Sequence, residues 1–247
     1  MPLSRHSAAT GFVAVVGVGL TAAAILATAP AKEKGPLDKF RFAAFDGFDN
    51  KPGLNWKPVR PDESHLSYEK HPGQLTIVTQ KGTIHGDAEK GDGGQPAKNI
   101  YVIDNPLAPG TDFTVTTCLI EFRPAASYQQ AGLILYDDDD NYLKFSRESG
   151  TEKDPGYVVL VTETTGRPAH APAALEQDAE KLWLRLVKRG DKYEFATSTD
   201  GDKFETRGTG EWKKEGPKKI GLIAKNGGLD GVPELDARFE FFELTSR

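Results

Sequence analysis

The chain has 247 residues, 38% hydrophobic and 27% charged, with 36 Asp and Glu against 31 Lys and Arg for a net charge of −5. That composition is ordinary for a globular protein, and a mildly acidic surface excludes backbone-driven nucleic-acid binding, which needs clustered Lys and Arg. Cys118 is the single cysteine, so no intrachain disulfide forms, and a chain of this size buries an adequate core without one.

The first 31 residues stand apart. Arg5 is their only fixed positive charge, and Ser7 to Ala31 carry none. "GFVAVVGVGLTAAAILA" followed by small residues has the layout of a secretory signal, with Ala29-Pro30-Ala31 as a cleavage site that releases a chain beginning at Lys32. A retained anchor is the alternative, since about 20 apolar residues span a bilayer. Either way the folded part is expected outside the cytoplasm, secreted or in the periplasm or cell envelope. Membrane contact is expected only if the segment is retained. The organisation expected is a signal or anchor over 1–31, a short linker over 32–38 and one domain over 39–247.

From residue 40 onward the segments read as strands. In chain order they are 40–45, 73–80, 99–104, 112–122, 130–136, 141–148, 156–163, 181–189, 192–198, 219–225 and 237–244, rich in Val, Ile, Thr, Phe and Tyr and often alternating with period two. In "LWLRLVK", Leu182, Leu184 and Leu186 share a face. Pro-Gly, Asp-Gly and Gly-Gly pairs punctuate the run, and "STDGDKF" (198–204) is a tight hairpin signal. Only "ALEQDAEK" (174–181) looks helical. Residues 82–98 form a polar, Gly-rich loop long enough to be functional. Short strands at close spacing predict an all-β, two-sheet antiparallel sandwich rather than a parallel α/β sheet.

Four consecutive acids, Asp137 to Asp140, sit between two strand segments. They lack the alternate spacing, glycine and distal glutamate of a calcium loop. As neighbours in a solvated loop they also lack the facing geometry of a catalytic carboxylate pair. Asp and Asn favour turns through local hydrogen bonds, so a wet hairpin turn is expected.

On the following strand, period two sets Leu143, Phe145 and Arg147 on one face and Tyr142, Lys144, Ser146 and Glu148 on the other. An aromatic with charged hydrogen-bonding groups suits a sugar-reading sheet. A solvated face whose Lys and Glu pair across strands is the alternative.

"YQQAGLILYDDDDNYLKFSRE" resembles the central signature of the concanavalin A-like lectin/glucanase sandwiches found as C-terminal domains of family 43 β-xylosidases and their stand-alone relatives of unassigned function. Gln130-Ala131-Gly132-Leu133, Tyr142, Lys144 and Glu148 match it, whereas Gln129 stands where the family often has Asp. "FDGFDNKPGLNW" (45–56) resembles the family's opening, and 73–79, 112–117, 198–204, 219–224 and 237–244 resemble later strands. The resemblance implies a concanavalin A-like jelly roll over about residues 40–245, with a concave face that often meets carbohydrate. In the xylosidases the hydrolytic carboxylates belong to a separate propeller domain.

Glu234, Asp236 and Glu240 share parity, but their last spacing exceeds that of the glucanase catalytic strand. No zinc, G-x-S-x-G or P-loop pattern is present. Cys118 reads as a core residue, and Trp183 and Trp212 as packing residues. The expectation is an exported, non-catalytic sandwich that binds a polysaccharide or glycan through Tyr142, Lys144 and Glu148, with Tyr136 and Trp56 as stacking partners. No cofactor is expected, a structural calcium ion being the alternative. The rivals are a glycoside hydrolase-like enzyme acting on a sugar derivative, as the similar "FDG" opening of 3-keto-disaccharide hydrolases suggests, and an envelope interaction module. Two carboxylates facing across a groove favour the enzyme. Aromatics with one Lys/Glu pair favour the binder, and a flat polar face favours the module.

Overall fold

A computed structural model describes residues 41–84, 94–149, 156–175 and 178–246. The leader, the linker and the middle of the Gly-rich loop lie outside the described residues. Two antiparallel sheets form a sandwich. The larger runs β12 (Glu205–Glu211), β11 (Lys192–Ser198), β10 (Lys181–Arg189), β5 (Phe113–Ile120), β14 (Asp236–Ser246), β3 (Leu75–Val78) and β2 (Leu66–Ser67), with β1 (Arg41–Asp46) paired to β14. The smaller runs β4 (Tyr101–Asp104), β13 (Lys219–Lys225), β6 (Gln130–Asp138), β7 (Asn141–Glu148), β8 (Tyr157–Thr164) and β9 (Arg167–Ala174).

Period-two alternation decides what faces what. Leu182, Leu184 and Leu186 of β10 and Phe195 of β11 meet Leu143 and Phe145 of β7 and Leu160 of β8 in the core between the sheets. The rings of Phe145 and Phe195 touch across it with centroids 5.2 Å apart. The opposite face of the smaller sheet carries a second apolar cluster, in which Ile134, Tyr136, Tyr142, Val161 and Ile223 lie beneath Ile84 and Ala97. Those covering residues come from the two arms of the Gly-rich loop, which pair at Thr83 and Pro96. A third layer therefore lies over part of that face.

The family signature Gln-Ala-Gly-Leu now has physical content. Ala131 and Leu133 enter the core, whereas a Cβ at Gly132 would sit 2.2 Å from the Phe145 carbonyl oxygen and 2.7 Å from the Ser146 Cα. Only glycine permits β6 and β7 to approach that closely. Cys118 is buried, and burial pushes its thiol well above the ordinary range.

Two sequence expectations are corrected. The helix expected over 174–181 is absent among the described residues there: Ala174 ends β9 and Lys181 opens β10. Strands β9 and β12 were not expected, because "RPAHAPAA" and "ETRGTGE" carry the prolines and glycines that read as breakers. Both are edge strands, where one row of N–H groups faces away from the sheet and proline or glycine is tolerated.

Candidate functional site

The sequence predicts a wet turn over the whole acidic run, but only Asp139 and Asp140 form it: Asp137 and Asp138 end β6, the Asp137 side chain is buried, and the carboxylates diverge. Asp137 takes the Lys213 ammonium and the Lys218 N–H, the latter at 2.7 Å. Asp138 accepts from the Asn141 amide at 2.7 Å. Asp139 forms a two-pronged pair with Arg60 at 2.9 and 3.0 Å and accepts from the Tyr136 hydroxyl at 2.8 Å. Arg60 also donates to the Ala97 carbonyl at 2.6 Å, which ties the turn to the covering layer. Arg60→Ala should lower stability by about 1–2 kcal/mol, since a bidentate pair is worth more than an ordinary surface ion pair. A urea unfolding midpoint checks this, and an unchanged midpoint would mean the pair contributes nothing. Among the described residues no three His, Cys, Asp or Glu side chains converge to hold a metal. Glu234, Asp236 and Glu240 are engaged separately, by His65 at 3.0 Å, by Lys70 at 2.7 Å and by Lys181 at 2.7 Å.

The part of the smaller sheet's outer face beyond the covering layer holds a cavity of about 640 Å³, inside the range of roughly 300–1,000 Å³ usual for ligand pockets. Strand register builds its floor. Lys225 of β13 pairs with Gln130 of β6, Gln130 with Glu148 of β7, and Glu148 with Tyr157 of β8, so four polar residues stand in one row across four strands. Lys144 lies two rungs along β7, and its ammonium donates to the Gln130 Oε1 at 2.5 Å. The Gln130 amide in turn donates to the Glu148 carboxylate. Gln130, Lys144, Glu148 and Lys225 are each no more than 5% exposed.

Burial therefore dominates the electrostatics. It lowers the Lys144 pKa to about 8, against the opposing pull of Glu148 and Glu163. Lys225 is pushed well below its ordinary value by burial and by repulsion from Lys144, with Glu148 opposing. Among the described residues it has no hydrogen-bond or ion-pair partner. Tyr157 is raised to about 12, by burial first and then by the Glu148 charge.

The rim adds a second aromatic. Tyr128 is 55% exposed and held at φ 65°, a left-handed conformation that a bulky residue adopts only under constraint. Its neighbour Gly227, at φ 73°, leaves no room for a side chain: a Cβ there would lie 2.5 Å from the Tyr128 Cβ. His170 and Leu229 complete the entrance.

Of the five residues selected from sequence, Lys144 and Glu148 line this cavity. The other three positions are corrections. Tyr142 is fully buried under the covering layer, donates to Glu163 at 2.8 Å and lies 6.0 Å beneath the Lys144 ammonium. Tyr136 is buried in the same cluster, with its hydroxyl on Asp139. Trp56 packs against the core between the sheets, stacked on Tyr101 at 4.6 Å, and its indole N–H donates to Asp46 at 2.7 Å. Gln130, Tyr128, Tyr157 and Lys225 were missed. A lysine closing the apolar strand "KIGLIAK", in phase with the outward Ile223, was the available signal.

A family model described as a protein of unknown function, DUF1349, matches residues 67–247. The chain belongs to this family. Among solved structures it is similar to the GH43 protein BlXynB from Bacillus licheniformis, at 27% identity in a mutant form and TM-score 0.67, over 82% of this chain and 39% of that one. It is also similar to xylan β-1,4-xylosidase from Bacillus halodurans, at 17% identity and TM-score 0.64, over 81% of this chain and 38% of that one. Bacillus licheniformis β-glucanase shares the fold at 14% identity and TM-score 0.53, over 84% and 99%. No curated protein matches. This DUF1349 chain thus spans about two-fifths of the length of the xylosidase-type structures it matches. The resemblance drawn from its sequence holds: the sandwich is concanavalin A-like and related to glycoside-hydrolase-associated and glucanase-like domains.

Proposed function

We propose that this DUF1349 protein is an exported carbohydrate-binding module and that the cavity on its smaller sheet holds the sugar. The observation that carries the reading is the row Lys225–Gln130–Glu148–Tyr157, its first three members buried and Tyr157 partly so, with buried Lys144 beside it, at the floor of an open cavity. Burying charged groups costs several kcal/mol each and seldom serves stability, and perturbed titratable groups in a cleft mark functional sites. Lysine, glutamine and glutamate supply donors and acceptors suited to hydroxyls. Tyr128 and Tyr157 present amphipathic rings to the apolar faces of a sugar. The kinship with GH43 proteins supports the same substrate class and makes xylo-oligosaccharides a natural first probe.

Binding without cleavage is favoured over hydrolysis. Glycosidases need two carboxylates about 5–10 Å apart, and Glu148 is the one carboxylate among the described lining residues. Calorimetric titration with xylo-oligosaccharides and a glycan array of neutral and acidic members test the reading. Tyr128→Ala should weaken binding roughly five- to ten-fold, and Glu148→Gln should weaken it further. Retention of no glycan by the wild type, or release of reducing sugar, would overturn the proposal.

A further inference from the structure

The floor of the cavity is unbalanced in charge. Two lysines, Lys144 and Lys225, point to it from β7 and β13, and among the described lining residues Glu148 is the one carboxylate between them. Lys144 spends a donor on Gln130, and Gln130 passes its own amide to Glu148. That chain is closed and leaves Lys225 out. The Lys225 side chain is 3% exposed, lines the cavity and has no hydrogen-bond or ion-pair partner among the described residues. A buried ammonium that feels Glu148 only at a distance and has no direct partner among the described residues is costly for a fold to keep. Here it adjoins open space large enough for a ligand.

We infer that the sugar held in this cavity carries an anionic group of the uronic-acid kind, and that its carboxylate is the direct partner the Lys225 ammonium lacks among the described residues. The inference rests on the reading of the cavity as a carbohydrate site and narrows it. A carboxylate lodged against Lys225, within the field of Lys144, completes the charge count of the floor. Its sugar ring then lies along Tyr157 and under Tyr128, while Glu148 and Gln130 remain available to hydroxyls. A neutral sugar would bring the Lys225 ammonium no charged partner, so recognition should favour the acidic ring.

The test is calorimetric titration of the full folded domain with xylotriose and with its 4-O-methylglucuronic-acid-substituted counterpart, alongside sodium glucuronate and sodium acetate. The acidic oligosaccharide should bind roughly ten-fold or more tightly than the neutral one, the usual worth of a charge-assisted hydrogen bond. Lys225→Met should weaken binding of the acidic oligosaccharide roughly ten-fold or more, down to the level of the neutral one, and Lys225→Arg should retain the preference. Equal affinity of wild type for the two oligosaccharides would overturn the inference and leave the carbohydrate reading in place. Binding of neither would overturn both. Acetate binding as tightly as glucuronate would show a bare anion site and overturn the assignment to a sugar acid.

Discussion

Lys225→Met should stabilise the protein at neutral pH by about 2 kcal/mol or more, raising the thermal midpoint by several degrees. Lys225 is buried beside Lys144, its ammonium has no hydrogen-bond or ion-pair partner among the described residues, and methionine fills similar space without a charge to desolvate. The pH dependence follows from the direction of the shift. The folded pKa lies well below the ordinary 10.5, so across the interval up to 10.5 the unfolded chain binds more protons than the folded one. Wild-type stability therefore rises with pH in that interval, and Lys144 acts in the same sense between about 8 and 10.5. The advantage of the methionine variant should be largest on the acid side and shrink as pH approaches 10.5. Thermal unfolding of both proteins across pH 6–10 checks this. A destabilised variant at pH 7 would mean that Lys225 serves the fold rather than a ligand. A stabilised variant that has lost its preference for acidic sugars is the trade of stability for function expected of a binding residue.

Asp46→Ala should be the most damaging single change outside the core, costing about 3–5 kcal/mol. The Asp46 carboxylate is 3% exposed and accepts four hydrogen bonds, from the N–H groups of Phe48 at 2.8 Å, Gly53 at 2.8 Å and Leu54 at 3.2 Å and from the Trp56 indole at 2.7 Å. One side chain thus organises the whole "FDGFDNKPGLNW" segment. It holds Phe48 in the core at φ 56° and fixes Trp56 against Tyr101 and Phe242. Removing it leaves four donors without a partner. Asp46→Asn keeps one acceptor oxygen and should lose about half as much. Denaturant unfolding measures both, and a loss below about 1 kcal/mol for alanine would contradict this account.

Much of the architecture is legible in the residues. Alternation in "LWLRLVK" and "NYLKFSRE" places the right side chains in the core, and the Asp-Gly hairpin at 198–204 holds: Gly201 takes φ 80° and the Asp200 carboxylate accepts from Lys203 N–H at 2.8 Å. What escapes is set by tertiary context. Edge strands β9 and β12 tolerate proline and glycine because half of their N–H groups need no partner. Period two sends Tyr142 to the same face as Lys144 and Glu148, but it cannot show that Ile84 and Ala97 roof that part of the face. Trp56 looks like a platform in a Pro-rich loop because nothing local reveals that Asp46, ten residues earlier, draws its indole inward. The row across β13, β6, β7 and β8 depends on strand order, and β13 follows β6 by some eighty residues. Gln130 and Glu148 were legible as members of a motif, and Lys225 became visible as their neighbour only when the sheet was assembled.

The most direct test is a map of backbone amide chemical shifts as a uronic-acid-bearing xylo-oligosaccharide is added to the protein. Perturbations should gather at Lys225, Gln130, Glu148 and Tyr157 and at the Tyr128 rim, and leave the larger sheet unmoved. Shifts centred on Trp56 or on β14, or no shifts at millimolar ligand, would contradict the placement of the site.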